Sequence, residues 1–136
     1  MPKEDYLLRY LEKLSRIIAT MLSMRDKGFP EDGLQIADET FKEMLDLNID
    51  ELANMPIERF IEVIGKHAYN NSYLEIITQL THETGKSFMA HGQSDNANLF
   101  YSKALQLYYL LNEKDKTFSF ERELIIGELQ EITRRK

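Results

Sequence analysis

Apolar residues recur along this chain every three to four positions, and strand-like alternation of apolar and polar residues is hard to find. That period predicts helices nearly everywhere. The first, over residues 5–27, carries a seam of Leu7, Tyr10, Leu14, Ile17, Met21 and Met24. Leu11, Ile18 and Leu22 widen the seam, and such width suits burial against two neighbours better than a narrow coiled-coil stripe. A second helix begins at Pro30 or Glu31, where acids in the first turn favour the helix dipole, and it ends near Leu47. Ile36, Phe41, Met44 and Leu45 give its apolar side.

The middle of the chain is less regular. Asp50 is expected to cap a short helix that runs through Asn54, and Met55-Pro56 stops it. Pro56 then opens another helix, with Phe60, Ile61 and Ile64 inward and Gly65 at its end. Asn70, Asn71 and Ser72 supply a linker and a cap. Two longer helices follow, over residues 73–90 and 95–112, then a charged turn at 113–116. A last helix over 119–134 carries Phe120, Leu124, Ile125, Leu129 and Ile132. With no low-complexity stretch and no long linker, residues 1–136 are expected to form a single α-helical domain. Its parts are a degenerate hairpin at 5–47, an irregular helical segment at 48–71, a hairpin at 73–112 and a capping helix at 118–135.

Thr84 to Tyr109 is the most informative stretch. Two antiparallel helices approach closely only where small side chains face each other. Gly85 lies in the first of these helices, and Ala97 and Ala104 lie one heptad apart on one face of the second. Phe88 and Tyr101 fill the space the small residues leave. Gly92 stands where a left-handed residue ends a helix, and Ser94, Asp95 and Asn96 are candidate caps for the next. In this register the stretch resembles a tetratricopeptide repeat, whose period is about 34 residues. The resemblance covers about a quarter of the chain. It departs from the family at Thr81, Thr84 and Tyr109, which replace an aromatic residue, a leucine and a closing proline. A weaker copy lies upstream, since Gly28 precedes Gly92 by 64 residues, near two periods. There Gly33 stands as the small residue, Ala37 replaces the aromatic and Thr40 replaces the second alanine. The Asp5-Tyr6-Leu7-Leu8-Arg9 opening and the overall layout also resemble small bacterial proteins of uncharacterised function, which implies no mechanism.

The resemblance implies a use as well as an architecture. In the repeat family the first helix of each hairpin builds a concave surface. By position this places Gln79, His82, Lys86 and Met89 on a partner-binding face, with Ile18, Leu22 and Arg25 on the matching face of the first helix. The four recur at three- and four-residue steps and so share one side of a helix. The last helix would cover the second hairpin as a terminal cap does in a repeat array. The middle helices could instead bury Ile18 and Leu22 and close the groove.

Composition narrows the field. A chain of 136 residues with 43% hydrophobic and 29% charged residues is long and apolar enough for a folded core. A formal charge of −6 argues against nucleic acid, whose phosphates demand a basic surface. No cysteine is present, so disulfides, thiolate chemistry and cysteine-ligated metals are excluded. The opening residues carry acids and no apolar leader, and no segment has the uninterrupted apolar length to span a membrane. A cytoplasmic location is expected.

Catalytic motifs are incomplete wherever they begin. Thr84-Gly85-Lys86-Ser87 imitates the end of a phosphate loop, but Leu80 stands where its first glycine belongs and the segment lies within a helix. His82-Glu83 starts a zinc-protease helix, but Lys86 occupies the place of the second histidine. His67, His82 and His91 are too scattered to predict a metal site. Asn70-Asn71-Ser72 fits the glycosylation pattern but reads better as a helix cap. Between Glu31 and Glu62 ten acids face only Lys42 and Arg59, the pattern of a solvated face or of a surface for a basic partner. Tyr6 and Tyr10, one turn apart, could belong to a self-association patch. No residue set reads as a nucleophile with its base, so no enzyme activity, cofactor or metal is expected. The expectation is an all-α, tetratricopeptide-like fold of antiparallel hairpins that binds a protein or peptide partner. The alternative is a small structural homo-oligomer using the first helix or the acidic face.

Overall fold

In a computed structural model the described residues are 3–67 and 70–135, and among them there are seven helices and no strand. They are α1 (Lys3–Asp26), α2 (Pro30–Leu45), α3 (Ile49–Asn54), α4 (Ile57–His67), α5 (Asn71–Ala90), α6 (Ser94–Lys114) and α7 (Phe120–Arg134). Helix α5 is the centre, packed on α1, α2 and α6 and touched by α4. The two short helices α3 and α4 pack on α2 and α6, away from α1, and α7 packs on α6. The middle helices therefore do not close over the open side of α1.

The turns between long helices follow from glycine. Gly92 adopts φ +78°, its amide bonds the Met89 carbonyl at 3.1 Å, and the Gln93 amide bonds the Phe88 carbonyl at 2.9 Å. Gly28 repeats this with φ +88°, its amide on Arg25 at 3.1 Å and the Phe29 amide on Met24 at 2.8 Å. Both are Schellman endings, in which a residue free to be left-handed lets the last carbonyls of a helix find donors.

Residues of all seven helices share one hydrophobic core. Phe100 of α6 lies 5.5 Å from Phe88 of α5 and 6.4 Å from Phe41 of α2, ring centre to ring centre. Between α5 and α6 the closest approach is at Gly85, where a methyl group would sit 2.8 Å from the Tyr101 ring and 3.4 Å from the Ala97 carbonyl. Thr78, Thr81 and Thr84 of α5 are fully buried. Each hydroxyl donates to the carbonyl four residues back, at 2.7, 2.9 and 2.7 Å, which satisfies a polar group inside the core. Lys103 of α6, also buried, donates to the Ala53 carbonyl at 3.2 Å and holds its ammonium 5.8 Å from the Phe60 ring centre. It fastens the end of α3 and the side of α4 to α6. Arg122 plays the same part for α7, donating to Asn112 and Asp115, each at 3.2 Å.

Several local expectations are corrected. Asn48, not Asp50, caps α3: its side chain accepts from the Glu51 amide at 2.8 Å while Glu51 reaches back to the Asn48 amide. Gly65 does not end α4, which continues to His67, because the glycine faces open space and needs no special backbone. Helix α2 stops at Leu45, two residues early, where Asp46 turns left-handed at φ 58°. Ser94 and Asp95 lie inside the first turn of α6, and Gln93 holds its cap position without a side-chain bond to the helix backbone, its Oε1 accepting instead from the Asn96 side chain at 3.1 Å. Asn70 caps α5 as expected, accepting from Tyr73, and Ser119, expected as the first residue of the last helix, is instead its cap, accepting from Arg122. Tyr69 and Lys136 lie outside the described residues.

Candidate functional site

Enclosure of α5 leaves it one strip open to solvent. Glu75, Gln79, Glu83, Lys86 and Met89 mark that strip at helical spacing, and it runs alongside α1. Of the four residues expected on this face, Gln79 is half-buried, Lys86 keeps 41% of its side chain exposed, and Met89 is 42% exposed. His82 has turned inward and is only 6% exposed. On the α1 side Leu22 is exposed, while Ile18 and Arg25 are half-buried.

His82 sits edge-on to two rings of α6, 6.0 Å from Tyr101 and 6.1 Å from Tyr108. Burial, aided by the charge of Lys86, pushes its pKa from 6.5 down to about 4, so the imidazole is neutral near pH 7. Burial raises the pKa of both tyrosines as well, and for Tyr108 the nearby Glu83 and Glu75 add to it. These rings form an uncharged wall beneath the strip.

The charged centre of the face is Glu83. Its carboxylate accepts from Arg25 Nη2 of α1 at 2.6 Å and pairs with Lys86 Nζ at 3.3 Å. Arg25 Nη1 also donates to Ser87 Oγ at 3.1 Å. With Arg25 and Glu83 both mostly shielded, this bonded pair ties α1 to α5 more firmly than an exposed ion pair would. Sequence reasoning named Arg25 and Lys86 but missed Glu83. Its signal was present in the Glu83–Lys86 spacing of three, which pairs opposite charges on one helix face.

The remaining candidates are accounted for by structure. Thr84-Gly85-Lys86-Ser87 lies in mid-helix, with Thr84 bonded to Leu80 and Ser87 to Arg25. His67 points Nδ1 at the Val63 carbonyl at 3.0 Å near the end of α4, and His91 stands at the end of α5, 3.6 Å from Glu31. Among the described residues no group of three or more His, Cys, Asp or Glu is placed to hold a metal ion. Several acids of the 31–62 segment have local partners: Asp38 accepts from the Ile49 amide, Glu43 pairs with Lys13, and Glu62 with Arg59 and Lys66. Tyr10 is not half of an exposed pair with Tyr6, since its ring stacks on Tyr73 at 6.2 Å. Among the described residues no helix is long and apolar enough to cross a membrane. No protein family, curated protein or solved structure matches the chain.

Proposed function

We propose that the chain is a non-catalytic module that binds a protein or peptide segment on the α1–α5 face. The observation that carries this reading is that α5, enclosed on its other sides, keeps one strip open beside α1. Along it a partly exposed cation and apolar side chains (Lys86, Met89 and Leu22) surround the shielded Arg25–Glu83 ion pair. Apolar contact area next to a few fixed polar groups is the combination that gives a peptide both affinity and register.

A tetratricopeptide-like arrangement of two antiparallel hairpins supports the same use. From residue 82 through 85 to 88 on α5, the partners on α6 run backward from Tyr108 through Tyr101 to Phe100. The Gly28 and Gly92 turns have the same hydrogen bonds. A methyl at Gly33 would lie 3.6 Å from the Met21 backbone, and Gly33 and Met21 each precede Ala97 and Gly85 by 64 residues. The two helix pairs thus touch at matching positions, with the tighter contact at Gly85.

Panning a random peptide display library against the purified protein tests the reading. Peptides should be enriched on the wild type and lost on Lys86→Glu and Met89→Glu, with both variants as stable as the parent. Failure to enrich any peptide, or enrichment indifferent to both changes, would refute it. A second reading, a small structural homo-oligomer using α1 or the acidic face, is favoured by exposed Tyr6 and Leu8 on α1.

A further inference from the structure

The open strip beside α1 carries opposite charge at its two ends. Toward the C-terminal end of α5, Arg25 and Lys86 share one carboxylate, that of Glu83, at 2.6 and 3.3 Å, which leaves cation in excess. Toward the N-terminal end stand Glu75 of α5 and Glu121 of α7, and among the described residues neither is in an ion pair. Arg122 beside them is held by Asn112 and Asp115. Two buried side chains register the difference. Apart from burial, the charges acting on His82 are Lys86 and Arg25, which lower its pKa, against Glu83. Those acting on Tyr108 are Glu83, Glu75 and Glu121, which raise its pKa, against Arg122 alone. From Glu75 to Lys86 the helix rises about 16 Å.

The other charges nearby leave this polarity in place. At the upper end Asp26 and Lys27, exposed side by side after Arg25, offset each other, and Glu31 faces His91 at 3.6 Å. At the lower end Lys13 is paired with Glu43, and exposed Glu12 adds another acid on the outer side of α1. Arg9 and Arg16 lie a third to half a turn round α1 from Ile18 and Leu22. Lys114 and Lys116, before α7, pair with neither Glu75 nor Glu121. Glu128, a heptad beyond Glu121, is not among the charges acting on His82 or Tyr108.

Helices α1 and α5 run in the same direction, since Tyr10 stacks on Tyr73 while Arg25 reaches Glu83 and Ser87. Both C-terminal ends, the negative ends of the helix dipoles, therefore lie beside Lys86. Between the charged ends α1 offers half-buried Ile18 and exposed Leu22. An extended segment on this strip would need partners for its backbone groups, and α1 and α5 use theirs internally, whereas a helix satisfies its own. Laid antiparallel, a helix sets its dipole against both neighbours, and acids in its first turn and bases in its last also suit its own. We propose that the partner of the α1–α5 face is an amphipathic helix of another protein, acidic in its first turn and basic in its last. It docks antiparallel to α1 and α5, with its acids at Lys86, its apolar side on Ile18 and Leu22, and its bases at Glu75 and Glu121. This rests on the binding-face reading above and names the class of its ligand.

Selection from a displayed library of amphipathic helices of about five turns tests it, with first- and last-turn positions drawn from Glu, Gln and Lys. The targets are the wild type, Lys86→Gln and Glu75→Gln/Glu121→Gln, each checked for folding by circular dichroism. Selection on the wild type should favour Glu over Lys in the first turn and Lys over Glu in the last, by about two- to fivefold per position, the scale of an exposed ion pair. The first bias should vanish only on Lys86→Gln and the second only on the double variant. A nitroxide at the N-terminus of a selected peptide should broaden the amides of Lys86 and Met89, and one at its C-terminus those of Ser72 and Glu75. Peptides that bind with no end bias, with a bias that both variants keep, or in the opposite direction would overturn the bipolar helix. If such peptides are still lost on Met89→Glu, the binding face itself stands. A library that yields no binder at all would overturn both.

Discussion

Gly85→Ala puts the packing of α5 on α6 to a quantitative test. The added methyl would lie 2.8 and 2.9 Å from two carbons of the Tyr101 ring, where ordinary carbon contacts are about 3.5–4.0 Å. The ring therefore has to move by more than half an ångström. It has little room, being 5% exposed and set edge-on to His82, and the Ala97 carbonyl at 3.4 Å blocks the methyl from the other side. Overpacking of this kind costs about 1–3 kcal/mol. Alanine regains about 1 kcal/mol over glycine inside a helix. The net expectation is a loss of roughly 0–2 kcal/mol, which places the variant about 1–3 kcal/mol below an alanine that meets no obstacle. Gly65→Ala and Gly127→Ala are the controls, since both sit in helices with open space around them and should gain up to about 1 kcal/mol. Urea unfolding followed by circular dichroism measures all three, with equal m-values certifying a pure stability change. In a Tyr101→Leu background the Gly85→Ala penalty should shrink, because its obstacle is gone. Gly85→Ala as stable as the two controls would refute the close approach of α5 and α6.

Three other outcomes are expected. Unfolded His82 takes a proton near pH 6.5 and native His82 only near pH 4, so the unfolded state binds more protons between those values. Stability is then full above pH 6.5 and declines by about 3 kcal/mol as pH falls towards 4, a slope that His82→Phe should lack in urea titrations across that range. Equal slopes in the two proteins would contradict burial of the imidazole. Gly92→Ala forces a side chain into left-handed backbone at φ +78° and should cost about 1–2 kcal/mol in the same assay, although open space surrounds it; no loss there would mean the turn is not Schellman-like. Arg122→Ala removes two hydrogen bonds from a buried cation and should cost about 1.5–3 kcal/mol, with α7 becoming the first site of limited proteolysis. Unchanged protease resistance of α7 would show that other contacts hold it.

Helix periodicity made the architecture legible because each helix is written within its own segment. Gly92 and the Asn70 cap act through neighbours a few residues away, and the structure places them as the spacing implies. What escaped depends on distant partners. His82 and Glu83 are adjacent on α5, about a quarter-turn apart, and periodicity alone does not say which of them faces solvent. The choice is made by Tyr101 and Tyr108, which draw the imidazole in, and by Arg25 of α1, which holds the carboxylate at the opening. Thr78, Thr81 and Thr84 look polar in the sequence but enter the core because each hydroxyl bonds its own helix backbone. Asp50 lost its capping role to Asn48 because the chain turns two residues earlier, where Asp38 of α2 accepts from the Ile49 amide at 2.8 Å.

The most direct test of the proposed binding face is chemical-shift mapping of the isotopically labelled protein during titration with a display-selected peptide. Shifts concentrated at Gln79, Glu83, Lys86 and Met89 of α5 and at Leu22 and Arg25 of α1 are the expected result. Shifts confined to α2, α3 and α4, or to α7, with the α1–α5 strip unmoved, would contradict it.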